Sequence, residues 1–550
     1  MQKPYKYIDY LNEIDKDILY KGLLGHGLFS KHMPSFLTSE PFYDFYYKIP
    51  HDNKNNLKIT AQNYIKYENI RNINIPRILA IPNPMCYGNL CYELYSHWNE
   101  LKEYFKEATE NQQHRISRIH IRKINNHDEI FQGCYYVNDV EKNDCDESSN
   151  NECCHLFEMN HKNFCIDDFP EPDLLIGKSY IVKADISNCF PSIYTHAISW
   201  ALMGKEKAKA NRNCKNLWQN SIDTYTRNLK HGESMGILIG PHASNLISEM
   251  ILVQIDKKLY DKGYRYIRNI DDYTCYVKDY NEAEKFLIEL ASVLREFELS
   301  LNHKKTEILK LPLPYCKDWV RKIKSFIFPN EKFLKLNALH SFLDISLDLM
   351  QLNNENIAIL NYAIKVLSRK ELTKNAEDYF QKTIHHLILI YPYLIPLLED
   401  RIFEKFNFNI DNNNIEKISK NIFEMAEPKG LYEAMSYALY FGIKYNFNIF
   451  NDNLKTLSLY GIAENSKDTI LMLLAYLHDK KFNKSKEEKQ FIDLAKTIEK
   501  DNDIDKYWLF VYEVLTENDL RDYWKVMKKN NVSFIKSNFK KIVEGEIYGG

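Results

Sequence analysis

The sequence predicts an α+β domain over about the first 320 residues and an all-α region from about residue 325 onward. Three observations carry that reading. Between 180 and 313, stretches that alternate apolar and polar residues are interleaved with stretches of helical period. Over 340–550, apolar helical stripes recur at 363–367, 384–398, 431–443, 469–477 and 507–515, separated by Asn/Asp/Lys turns. Glycine supplies only 17 of 550 residues, well under the usual ~7%, in a chain rich in good helix formers. Because the stripes follow no fixed period, the helical region is open between an irregular bundle and a solenoid of HEAT-like hairpins.

A chain of 550 residues has room for about three or four domain-sized units and an ample core. Lys+Arg total 73 against Asp+Glu 75, a net charge of −2, which excludes binding nucleic acid by bulk positive charge; an anionic partner must be gripped locally. Apolar residues at 45% and charged residues at 27% exclude a mainly disordered chain and a membrane bundle. The first residues, MQKPYKYIDYLNEIDKD, lack the apolar core of a signal peptide. The longest apolar stretch, 387–398, is broken by Pro392 and Pro396 and falls short of the ~18 residues of a span, so a cytoplasmic protein without a membrane partner is expected. Eleven cysteines without CxxC pairs suit a reducing compartment, and the group Cys145, Cys153, Cys154, His155, His161 and Cys165 lacks the paired spacing of structural zinc.

In chain order, residues 1–70 form an N-terminal extension of short helical patterns with an aromatic stretch, PFYDFYYKIP. From 71 to 124, Pro-bounded apolar pieces flank a helix near 90–108. They end in HRISRIHIRKI, where Arg118, His120 and Arg122 share one face of a strand. Residues 125–172 are polar and turn-rich, an insertion between elements; an IDDF pair at 166–169 sits there beside Cys165, Pro170 and Pro172. In SYIVKADISNCFPSI a strand at 180–184 delivers Asp185, and the chain turns toward a helix near Pro191. MGILIGPHASNLISEMILVQIDKKL places Gly236, Gly240 and Pro241 in a loop whose backbone can approach a ligand closely, followed by a helix over 242–259. In YRYIRNIDDYTCYVKD, strands at 265–267 and 274–277 leave Asp271 and Asp272 in the tight connection between them. A helix over 281–297 leads to LSLNHKKTEILKLP, with Asn302 and Lys305 at a turn into another strand.

If the strands bearing Asp185 and Asp271 are neighbours, these two carboxylates meet. Hard divalent cations such as Mg²⁺ take oxygen ligands. Nucleotidyl transfer uses two such ions ~3.5–4 Å apart, one beside the attacking oxygen and one beside the leaving pyrophosphate. Carboxylates from different strands make the minimal clamp for that chemistry.

The order Asp185, Gly236 to Pro241, Asp271–Asp272, then LNxxKT resembles the palm of a reverse transcriptase. In finer texture it resembles the abortive-infection (Abi) and defence-associated bacterial reverse transcriptases, through KADISNCFPSIYTH, GILIGPHASNLISE and the fingers-like IPNPMCYGNLCYELYSHW. The resemblance implies fingers and palm within 71–320, as in a right-hand polymerase, with a helical C-terminal domain over 325–550. It implies that Asp185, Asp271 and Asp272 hold two Mg²⁺ ions, with Mn²⁺ as an alternative, and that Lys305 neutralises or protonates the leaving pyrophosphate. Phe190 matches a steric gate against the 2′-OH; Gly240 and Pro241 would contact the primer end or the incoming nucleotide; Arg77 aligns with a triphosphate contact, joined more weakly by Arg118 and Arg122.

Three departures concern template handling: Asn269 replaces the tyrosine before x-Asp-Asp, Met235 replaces a glutamine, and Pro84–Met85 displaces a basic residue. The implied activity is that of an RNA-directed DNA polymerase-like nucleotidyltransferase in antiphage defence, taking dNTPs and attaching its DNA product to one of its own tyrosines without a supplied template. A homo-oligomer is expected. The alternatives are an RNA-templated enzyme using a non-coding RNA, and an inactive palm kept for nucleic-acid binding or assembly.

Overall fold

In the computed structural model the described residues are 6–49, 59–72, 75–118, 120–123, 157–160, 170–214, 216–314, 316–406, 412–450, 458–482, 487–501 and 503–546. The first Asp-Asp pair, in the stretch 166–169, and the group from Cys145 to Cys165 lie outside them.

Among the described residues, eight strands make three antiparallel sheets. Strands β1 (Tyr64–Asn69) and β2 (Arg77–Pro82) form one hairpin, in full register from Tyr64 opposite Pro82 to Asn69 opposite Arg77. Ile65 and Tyr67 of β1 and Leu79, Ala80 and Ile81 of β2 are buried, so the hairpin lies on the core by its apolar residues. The boundary expected at residue 70 therefore divides a hairpin rather than separating an extension from it. Strands β3 (His120–Lys123) and β4 (Phe157–Asn160) form a second pair, and β4 falls where an inserted loop was expected. The third sheet has the order β6-β7-β5-β8, built from β5 (Tyr180–Asp185), β6 (Tyr266–Asn269), β7 (Asp272–Val277) and β8 (Glu307–Lys310).

The helix His242–Asp261 is apolar on nearly every side and runs through the core. It packs against the helices Trp98–Thr109, His196–Met203 and Tyr280–Glu296. The single helix expected at 90–108 is two, Pro84–Ser96 and Trp98–Thr109, broken at His97 with φ −113° and ψ 25°. At the break the His97 ring stacks on Trp218 at 5.1 Å, and Trp98 Nε1 donates to the Ile14 carbonyl at 2.7 Å. The expected strand face from Arg118 to Arg122 is also shorter: β3 begins at His120, and Arg118 belongs to a segment bonded to β6, its N–H donating to the Arg268 carbonyl at 2.8 Å.

The C-terminal region is largely helical, as the stripes imply. The stripe at 384–398 is split, because Pro392 ends the helix Lys374–Ile390 and a 3₁₀ turn, Pro392–Leu397, follows. Helix lengths vary and π and 3₁₀ turns intervene; a HEAT-like repeat is not shown. The region is fastened to the N-terminal residues and to the β1–β2 hairpin. Thr38 N–H donates to the Phe534 carbonyl and Lys536 N–H to the Phe36 carbonyl, each at 2.9 Å. Asn83 Nδ2 donates to the Tyr523 hydroxyl at 2.7 Å. Glu433, on the helix Tyr432–Lys444, accepts hydrogen bonds from Tyr67, Asn69 and Ile70 at the end of β1. No helix among the described residues is long and apolar enough to cross a membrane.

Candidate active site

Strand β5 buries Val182 and Ala184 and carries Asp185 to the end of its ladder with β7. Its partner across the ladder is Asp272, the first residue of β7. Asp271 occupies the two-residue turn between β6 and β7, where Asn269 pairs with Asp272. The expected pairing of Asp185 with Asp271 is thus shifted by one: Asp272 stands opposite, and Asp271 is fixed through its carbonyl, which accepts the Ile186 N–H at 3.2 Å.

Carboxylate oxygens of Asp185, Asp271 and Asp272 all lie within 4.8 Å of one another. Asp185 is buried, Asp271 half-buried and Asp272 exposed. Two groups from the turn before β8 orient Asp185: Asn302 Nδ2 donates to Oδ1 at 2.9 Å and Lys305 Nζ to Oδ2 at 2.7 Å. Burial pushes the Asp271 carboxyl up, and neighbouring Asp185 adds to this, against the pull of Lys305 and Arg77. Although Asp272 reaches solvent, partial desolvation by the surrounding protein, then the charge of Asp271 and the hydrogen bond and charge of Asp185, push its carboxyl up to about 6. Lys305 is raised by its hydrogen bond to Asp185. Three clustered carboxylates thus carry more negative charge than their neighbours neutralise. That is the donor set and the electrostatic state that a hard divalent cation fits.

The second wall comes from two loops sewn together by backbone bonds. Ile237 N–H donates to the Phe190 carbonyl at 2.9 Å, Gly236 N–H to Ile193 at 2.8 Å, and Thr195 N–H to Ser234 at 2.9 Å. Gly236 has φ +82°, and a Cβ there would stand 2.8 Å from the Pro191 carbonyl oxygen, so the sequence needs glycine at this crossing. Phe190 is half-buried against the core. Gly240 and Pro241 lie where this loop meets β2, Ala80 N–H donating to the Ile239 carbonyl at 2.8 Å. Arg77, first in β2, is within electrostatic reach of Asp271.

Other expected contacts are placed differently. The Arg118 side chain is fully buried and faces Glu171 at 3.8 Å, which leaves it no surface for a nucleotide. Arg122 lies on β3 opposite Glu158, and its side chain is outside the described residues. Met235 is 55% exposed. Met85 is buried near the start of the helix Pro84–Ser96, where Asn83 Oδ1 accepts its N–H at 3.0 Å as a cap. Asn269 Oδ1 is buried without a hydrogen-bond partner among the described residues.

A support that the sequence reading missed lies under the turn. Arg268 is completely buried, between Glu249 at 3.1 Å and Asp256 at 2.6 Å. Its Nη1 also donates to the Ile270 carbonyl at 2.7 Å. Ile270 has φ +59°, a left-handed conformation unfavourable for a β-branched residue at the first turn position, and Arg268 braces it. Tyr7 donates to Glu249 at 3.0 Å and Tyr266 to Asp256 at 2.9 Å, completing the cluster. The signal was present: two carboxylates seven residues apart in an otherwise apolar helix share one face and require a buried cation.

Residues 151–332 match the family described as reverse transcriptase (RNA-dependent DNA polymerase). No curated protein matches the chain. Among solved structures, apo telomerase from Candida tropicalis is similar at 12% identity and a TM-score of 0.30, covering 70% of this chain and 69% of that one. Telomerase from Candida albicans in complex with a TWJ fragment of telomeric RNA is similar at 11% identity and a TM-score of 0.29, covering 74% and 67%. Both likenesses are weak. From the family match and the site together, the chain carries an RNA-directed DNA polymerase family domain whose candidate catalytic groups are Asp185, Asp271 and Asp272.

Proposed function

We propose that the chain is a divalent-metal-dependent DNA polymerase of reverse-transcriptase type, acting in the cytoplasm in bacterial antiphage defence and extending DNA from one of its own tyrosines without a supplied template. The observation that carries the polymerase reading is the meeting of three carboxylates within 4.8 Å at the end of β5 and the β6–β7 turn. The defence and self-priming parts are supported by the resemblance of the palm and fingers motifs to abortive-infection enzymes, and by Asn269 and Met235 at positions that handle a template-primer duplex.

Two Mg²⁺ ions, or Mn²⁺, held by Asp185, Asp271 and Asp272 would supply activation of the attacking oxygen and stabilisation of the leaving pyrophosphate. Asn302 and Lys305 fix the orientation of Asp185. Lys305, 64% exposed, can swing to meet the pyrophosphate with its charge or its proton. Arg77 approaches the same space from β2 and suits a triphosphate oxygen. Phe190 offers a ring to the sugar, and the Gly240–Pro241 backbone suits the primer end or the base.

A second reading, synthesis templated by a non-coding RNA, is favoured by the matched family's description as RNA-dependent. The test is to incubate the full chain with Mg²⁺ and each labelled dNTP, with and without an RNA template-primer, and to resolve products before and after protease. Label held on the protein without template supports self-priming. Label appearing only with added RNA sinks that version in favour of the second. No label under any condition leaves the palm a binding or assembly module.

A further inference from the structure

A cleft of about 570 Å³ lies between the loop end of the β1–β2 hairpin and the helical region, within the ~300–1,000 Å³ range of small-ligand sites. Arg71 lines one wall; Tyr391, Tyr393, Lys429 and Tyr432 line the other. The walls are tied together rather than merely adjacent. Glu433, next to Tyr432, accepts the Ile70 N–H and an Asn69 Nδ2–H, and Asn72 Nδ2 donates to Asn356 Oδ1 at 3.4 Å. The hairpin whose loop lines the cleft also carries Arg77, the first residue of β2.

We propose that this cleft binds one or two nucleotides of single-stranded nucleic acid, the tyrosines stacking on bases and Arg71 and Lys429 holding phosphates. The proposal rests on the polymerase reading, since it supplies that site with its strand. Aromatic rings interleaved with cations are the combination that grips single strands without reading sequence. In a chain of net charge −2 such cations have to be local. Glu68 and Glu355 also line the cleft. Their repulsion of phosphate confines the backbone to the Arg71 and Lys429 side and leaves the carboxylates to accept from base amino groups.

The experiment measures fluorescence anisotropy of labelled oligo-dC and oligo-rC on the full-length protein, for wild type, Tyr393→Ala, Tyr393→Phe, Lys429→Ala and Asp271→Asn, alongside Mg²⁺-dependent dNTP incorporation. Tyr393→Ala should weaken binding roughly tenfold while Tyr393→Phe keeps it. Lys429→Ala, at the surface, should lower the slope of log affinity against log salt by about 0.7. The preferred oligonucleotide identifies the sugar. Unchanged affinity in both alanine variants overturns the proposal, as does equal binding of a mononucleotide with no gain from the oligonucleotide. Asp271-dependent incorporation with cleft-independent binding sinks the cleft alone. Cleft-dependent binding without incorporation sinks the polymerase reading and leaves the cleft standing.

Discussion

Asp272 shows at the scale of one residue how the site trades stability for function. Its carboxyl sits at about 6 rather than in the ordinary carboxylate range, because partial desolvation and the neighbouring Asp271 and Asp185 carboxylates oppose its ionisation. In the unfolded chain it ionises near 3.8, so the folded state holds the proton more tightly. Without metal, the contribution of this one carboxyl to stability therefore falls as pH rises from about 4 to about 6, and the cost persists above that window. Asp272→Asn should raise the Tm of the metal-free protein at pH 7.5 and change it little at pH 4, while lowering Mg²⁺-dependent stabilisation; thermal unfolding at the two pH values, with and without Mg²⁺, checks this. The acidic residues themselves were legible in the sequence, since strand alternation fixes where Asp185 and the Asp271–Asp272 turn must lie. Their mutual register was not, because a shift of one residue in a tight turn exchanges which aspartate stands opposite Asp185.

At the scale of elements, the β6–β7 hairpin is held from beneath by Arg268, which bridges Glu249 and Asp256 and reaches the Ile270 carbonyl. Removing that cation strands two carboxylates in the core. Arg268→Met should cost about 3–5 kcal/mol, the scale for breaking a buried ion pair, measured by urea unfolding at pH 7.5. Arg268→Lys lacks the fork that serves three partners and should recover only part of this. Period and turn chemistry made the strands and the helix His242–Asp261 readable in advance. The break at His97 was not, because it depends on Trp218, more than a hundred residues away. The buried Arg118 was misread for the same reason: strand period groups it with His120 and Arg122, but only packing shows that Arg118 precedes β3 and is buried against Glu171.

Across the whole molecule, the helical region holds the β1–β2 hairpin as well as following it. Glu433 is buried, accepts from Tyr67, Asn69 and Ile70, and is pushed up by burial to about 7. Glu433→Ala leaves these donors without their acceptor and should cost about 1–3 kcal/mol. Faster hydrogen exchange in 64–70, with exchange in the β5–β7 ladder little changed, would locate the effect. This coupling was invisible in the sequence, where the stripes show that helices form but not what they grip. At the centre of the molecule's proposed activity, the carboxylates of Asp185, Asp271 and Asp272 support nucleotidyl transfer. Its most direct measurement is labelled dNTP incorporation by the full chain in Mg²⁺, with and without an RNA template-primer, for wild type and Asp271→Asn. Incorporation should need Mg²⁺ and fall at least ~10³-fold in the variant. Incorporation equal in the two proteins, or absent from both with every template, primer and metal supplied, would contradict it.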